Sequence, residues 1–246
     1  MARDIEKKRI YPLYLAIDAS GSMDQVINPF EETKRIDLAK QIPLAFNQLY
    51  EENQDLVSLL WVSVFLFNKK VLRVLPLSPV SQVREVDLNW NASGKTFFAN
   101  LFSSLETAIR DDMKNVGEDF EVHNPAVVIV TDGIPSTVEE ADEIESSRRS
   151  ERQALLSIDG FNQSVQIAFM GIGSSREEFL QDYASSRGLA MKLDPAQPIV
   201  KQVEGLIAAL KKTIRASLAK TDGSSEGGWM RSFFSEPVDD EKDDYF

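Results

Sequence analysis

The feature that most constrains this chain is a set of short, unbroken apolar runs, each ending in an aspartate or a turn residue. "YPLYLAI" runs into Asp18, "LVSLLWVSVFLF" into Asn68, "AVVIVT" into Asp132 and "VQIAFMGIG" into Ser174. Such runs, rich in β-branched and aromatic residues and apolar at every position, read as strands covered on both faces, as in a parallel sheet. Segments of helical period lie between them. Ile36, Ala39, Phe46 and Leu49 mark a helix over Arg35 to Glu51, and Phe98, Leu101, Phe102, Leu105, Ala108 and Ile109 mark another over Phe97 to Met113. "REEFLQDYASS" gives a further helix, "AMKL" a short final strand, and Ile199, Val203, Leu206, Leu210 and Ile214 a last helix from Pro198 to Leu218. Pro43 predicts a kink or a later start for the first helix, because proline has no backbone N–H to donate. Ser136 and Thr137, each three residues before a glutamate, predict a helix start by the capping-box spacing. Asn68-Lys69-Lys70 turns the second run into a short "VLRVL" strand, an antiparallel hairpin at a sheet edge. The order implies an α/β fold: a doubly wound, mostly parallel Rossmann-like sheet with helices on both faces and one antiparallel edge strand.

At 246 residues with 43% hydrophobic composition, the chain has enough apolar surface for one domain, assigned to 1–220, and a tail, 221–246. The absence of cysteine excludes disulfides, thiolate zinc sites and a cysteine nucleophile, and it favours a reducing compartment. "MARDIEKKRI" lacks the apolar core of a signal peptide, and no run approaches the roughly 20 residues needed to cross a bilayer, so a soluble cytoplasmic protein is expected. A formal charge of −12 leaves no basic footprint for nucleic acid or an anionic membrane.

Chemistry gathers where the first run ends. In an extended segment alternate side chains share a face, so Asp18, Ser20 and Ser22 of "DASGS" can converge beyond the strand. The strand "AVVIV" delivers Asp132 to the same sheet edge, and Thr96, close to Gly94, offers another hydroxyl. Two carboxylates and three hydroxyls, with no histidine or sulfur, suit Mg²⁺ or Mn²⁺ rather than zinc.

"DASGS", Thr96 and "TDG" at Asp132 resemble the metal-ion-dependent adhesion site of von Willebrand factor A domains, and the likeness extends through the element order from Arg9 to Leu218. The resemblance implies that Ser20, Ser22 and Thr96 act as hydroxyl ligands together with Asp18 and Asp132, some through water. "IYPLYLAIDASGSM", "WVSVFLFN" and "LDP" look most like bacterial TerY-type proteins linked to tellurium resistance and stress signalling. That likeness implies a protein partner whose acidic residue completes the metal shell, in company with a kinase and a phosphatase. A subunit partnering an AAA+ ATPase in a chelatase-like assembly is the alternative that the superfamily implies.

Enzymatic readings find little machinery. A haloacid-dehalogenase-type phosphatase also places an aspartate after its first strand, but it needs a second acid two residues on, where this chain has Ser20. His123, the only histidine, reads as a solvated loop residue. "GIGSS" has no following lysine and reads as a strand-to-helix turn. Arg148, Arg149 and Arg152 follow an acidic segment in the order that suits a helix dipole. No nucleophile and base pair is visible, so no catalysis is expected.

The tail from Thr221 to Phe246 carries eight acidic residues against two basic ones, half the net charge of the chain. Its composition is that of a disordered segment. Trp229, Phe233 and Phe234 stand out in it as candidate anchors for a partner's groove, or for the domain's own body.

Overall fold

The computed structural model describes residues 7–28, 32–52, 59–87, 89–117, 119–133, 145–159, 165–173, 175–185, 190–194, 196–197 and 201. The strands are β1 (Lys8–Asp18), β2 (Val26–Asn28), β3 (Thr33–Lys34), β4 (Leu60–Phe67), β5 (Val71–Pro79), β6 (Phe120–Val122), β7 (Ala126–Thr131), β8 (Gln166–Gly171) and β9 (Ala190–Lys192). The helices are α1 (Arg35–Glu52), α2 (Phe98–Asn115), α3 (Glu145–Leu156) and α4 (Glu177–Tyr183), with 3₁₀ turns at Gly21–Asp24 and Val80–Glu85.

The main sheet runs β5-β4-β1-β7-β8-β9, with β6 paired to the start of β1. All its pairings are parallel except β4 with β5, whose antiparallel hairpin forms one edge as the Asn68 turn implies. β5 extends to Pro79, beyond the "VLRVL" stretch, and its pairing is broken by register shifts of the kind that blunt an edge. Crossovers between parallel strands are right-handed. The β1–α1–β4 unit moves one way along the sheet and β7–α3–β8 the other, so α1 and α3 cover opposite faces. α2 packs against α3 on one of them. Covered on both sides, β1, β7 and β8 are buried almost throughout, which is why their sequences carry no polar alternation.

α1 begins at Arg35 and continues through Pro43, so the later start expected from that proline is not found. Pro43 is buried, and the helix forgoes the single hydrogen bond that its nitrogen cannot make. The helix start expected at Ser136 and Thr137, the helix from Pro198 to Leu218 except Lys201, the boundary at 220 and the tail all lie outside the described residues.

Beneath α2 the sheet carries one polar network. Tyr14 and Ser63 are register partners on β1 and β4. The Tyr14 hydroxyl donates to Asp112 Oδ2 at 2.9 Å, Arg73 Nη2 pairs with the same oxygen, and Arg73 Nε donates to Ser63 Oγ at 2.9 Å. Burial, reinforced by Asp112, pushes the Tyr14 phenol well above its ordinary range, so it stays a neutral donor.

The strand order reverses between β1 and β7, since the chain leaves β1 toward β4 and returns on the other side at β7. In open α/β sheets the crevice outside the carboxyl ends of such a strand pair is where ligands bind.

Candidate functional site

Asp18 is the last residue of β1, and Asp132 follows the last residue of β7. Both are fully buried, Ser20 and Thr96 nearly so, and Ser22 is half-buried. The loop after β1 is laced to its surroundings by backbone bonds: Ala19 N to Phe67 O at 2.7 Å, Gly21 N to Gly94 O at 2.8 Å and Ser93 N to Ala19 O at 2.8 Å. These bonds bring the Thr96 segment, distant in sequence, against the first loop.

The side chains converge accordingly. Asp18 Oδ1 accepts from Ser20 N at 2.8 Å, and its Oδ2 accepts from Thr131 Oγ1 at 2.6 Å and from Thr96 Oγ1 at 3.3 Å. Ser20 Oγ and Ser22 Oγ are hydrogen-bonded at 3.1 Å. The five residues singled out in the sequence thus sit on the loops above β1 and β7, at the reversal of strand order. Trp229, Phe233 and Phe234 lie outside the described residues.

Two further residues belong to this cluster. Thr131 is the neighbour of Asp18 across the β1–β7 pairing, one step beyond Ile17 opposite Val130. Its hydroxyl donates to Asp18 and accepts from Gly133 N at 3.0 Å. That role was legible in principle from strand register. Arg35 had no such signal, because a charged first residue of a helix is ordinary in sequence. In the structure it is 8% exposed, and its Nη1 lies 2.8 Å from Asp132 Oδ2 and 3.4 Å from the Ser22 carbonyl.

The electrostatics are uneven. Burial, and more weakly the Asp132 carboxylate, push the Asp18 carboxyl up to about 6, while the Thr131 and Ser20 hydrogen bonds hold it down. Asp132 has its Oδ2 on Arg35, but its Oδ1 is buried with no hydrogen-bond partner. A buried anionic oxygen left in this way costs free energy that a cation would recover. Among the described residues no three of histidine, aspartate and glutamate gather, so the donor set is two carboxylates with hydroxyls. These hard oxygen donors fit Mg²⁺ or Mn²⁺.

His123 corrects the expectation of a solvated loop residue. Its ring stacks on Tyr11 with centroids 4.1 Å apart, and its Nε2 is buried without a partner. It packs against the beginning of β1, at the end of the sheet opposite Asp18. Arg152 donates to the carbonyls of Tyr183 and Ala184 at 2.7 and 2.6 Å, at the end of α4. Among the described residues no helix is long and apolar enough to cross a membrane.

No protein-family model matches the chain, and no curated protein sequence does. Solved structures do share its fold. The pilus adhesin SpaC from Lactobacillus rhamnosus GG superposes with a TM-score of 0.63 at 13% identity, over 85% of this chain and 32% of the adhesin. The PilB minor pilin from Streptococcus sanguinis gives 0.57 at 13% identity, over 89% of this chain and 64% of the pilin. An aerotolerance-related membrane protein from Bacteroides fragilis gives 0.53 at 13% identity, over 82% of this chain and 99% of that one. The chain therefore spans about a third of the adhesin and under two thirds of the pilin. At these identities the likeness is one of fold, a mixed α/β architecture consistent with the von Willebrand factor A type.

Proposed function

We propose that this chain is a metal-dependent protein-binding module, not an enzyme, in which Asp18, Ser20, Ser22, Thr96 and Asp132 hold Mg²⁺ or Mn²⁺ and present it to an acidic residue of a partner. The observation that carries the reading is the unpartnered, fully buried Asp132 Oδ1 on the loops that hold three hydroxyls and Asp18. When bound, the ion supplies an electrophilic position for a partner carboxylate, because neutral hydroxyls leave its charge incompletely satisfied. Thr131 and Ser20 N orient Asp18, Arg35 pairs with Asp132 Oδ2, and the Ser93–Gly94 backbone fixes the loop that carries Ser20 and Ser22.

The absence of catalysis is part of the proposal. Asp18 has a serine, not a second acid, two residues on, and His123 stacks at the far end of the sheet, away from the hydroxyls around Asp18. That one of the similar structures is named an adhesin is in keeping with a protein-binding role. The finer assignment, a cytoplasmic TerY-type partner of a kinase and a phosphatase in stress signalling, rests on the sequence resemblance.

Affinity capture from the native cell, with Mg²⁺ and with a chelator, tests the function. The reading expects a partner retained only with Mg²⁺ and lost with Thr96→Ala. A partner set indifferent to both treatments contradicts it.

A further inference from the structure

We propose that Arg35 is a built-in counter-cation of the metal site, which keeps the ion weakly held until a partner's carboxylate joins it. This inference rests on the metal-site reading above.

Arg35 reaches the site from the first turn of α1. Its backbone N donates to the Gln25 carbonyl at 3.1 Å, its Nη1 pairs with Asp132 Oδ2, and its Nε is buried with no hydrogen-bond partner. The chain makes room for this side chain. Gly173, after β8, has a φ of +66°, and a Cβ there would lie 2.6 Å from Arg35 Nε and 3.1 Å from its Cζ. The guanidinium therefore occupies a cradle formed by three loops, those after β1, β7 and β8.

Stability alone is a poor account of such a residue. Burying a guanidinium costs several kcal/mol, and a buried ion pair is often no better than apolar packing of the same volume. Its Nε gains nothing in return. What Arg35 changes is the charge of the site. Asp18 and Asp132 as carboxylates would balance a divalent ion, whereas the guanidinium leaves the assembly with one positive charge in surroundings sheltered from water. Like charges repel most strongly where water is excluded, so Arg35 weakens the hold on the ion while favouring an anion beside it. Linkage makes the effect reciprocal: a carboxylate that binds better because of the ion strengthens the ion's own binding.

The contrary account makes Arg35 a positioning residue, which aims Asp132 Oδ1 at the ion. Its loss would then weaken metal binding. The two accounts therefore differ in sign.

Mn²⁺ binding, followed by the electron paramagnetic resonance of the free ion, separates them in the wild type, Arg35→Gln and Arg35→Lys. Each is titrated in chloride and in acetate buffer of equal ionic strength, acetate serving as the carboxylate probe. In chloride, Arg35→Gln should bind Mn²⁺ about ten-fold tighter than wild type, or about 1.4 kcal/mol. It should also gain less from acetate than wild type does. Arg35→Lys keeps the charge without the planar fork and should stay within about three-fold of wild type. Binding by Arg35→Gln that is equal to or weaker than wild type overturns the proposal. If Arg35→Gln does not fold, Arg35→Lys still decides, because a loss of about ten-fold or more there marks a positioning role. A wild type that takes up no Mn²⁺ would instead remove the metal reading itself.

Discussion

Replacing Asp18 by asparagine should stabilise the metal-free protein at neutral pH, although the residue sits at the centre of the candidate site. The Asp18 carboxyl lies near 3.8 in the unfolded chain and at about 6 in the fold, where burial penalises its charged form. Below the unfolded value both states are protonated and the site adds no penalty. As pH rises through this interval the unfolded chain gives up its proton first, so stability falls until the folded carboxyl has also ionised. At about 1.4 kcal/mol per pH unit, the penalty above pH 6 is roughly 3 kcal/mol. Asparagine stays neutral but accepts less well from Thr131 and Ser20, a loss of about 1 kcal/mol for a hydrogen bond, which leaves a gain of about 1–2 kcal/mol. For a domain of this size that is a rise of roughly 2–8 °C in Tm. Circular dichroism melts of both proteins in chelator, from about pH 4 to about pH 8, report on Asp18 and its coupling to Asp132, because carboxylates remote from the pair cancel in the difference. The Tm difference should widen in favour of Asp18→Asn between those limits, and Mg²⁺ should then raise the Tm of the wild type alone. A difference that does not change with pH, with the variant the less stable throughout, would refute the reasoning.

Other perturbations probe the frame around the site. Asp112→Ala strands the Arg73 guanidinium and the Tyr14 hydroxyl and should cost about 2–4 kcal/mol in urea unfolding, whereas the exposed neighbour Asp111→Ala should change little, within about 0.5 kcal/mol. Thr131→Val removes the shortest hydrogen bond to Asp18 and should raise the carboxyl further, read by carbon NMR titration of that side chain; an unchanged titration contradicts the assigned role. Deleting residues 221–246 should leave the Tm within about 2 °C and remove only contacts insensitive to chelator, whereas a large drop would assign Trp229, Phe233 and Phe234 to the domain's own core.

The central strands were legible because burial on both faces leaves no polar position in them. "YPLYLAI", "AVVIV" and the "VQIAFMGIG" run correspond to β1, β7 and β8. Asp18 and Asp132 were legible because strand ends follow a local rule, and the fold needed only to bring the ends of β1 and β7 together. The extended alternation expected through Ser22 is not found, since the chain turns into a 3₁₀ helix at Gly21–Asp24, where Ser22 still meets Ser20 Oγ, and Thr96 is brought in by the backbone bonds of Ser93 and Gly94 to the first loop. Arg35 was not, since its meaning lies in a pairing with Asp132, 97 positions away, and in the space left by Gly173. His123 misled for a similar reason, because a polar loop in sequence says nothing of the Tyr11 ring on which it stacks. The path of α1 through Pro43 shows a buried tertiary position overriding a local preference.

Anomalous diffraction from a crystal soaked in Mn²⁺ addresses the central claim most directly. The account predicts a single strong peak among Asp18, Ser20, Ser22, Thr96 and Asp132, with oxygen ligands at about 2.1 Å as expected for a small hard ion, and with Asp132 Oδ1 no longer without a partner. A crystal saturated with Mn²⁺ that shows no peak there, and still has Arg35 alone on Asp132, would contradict it.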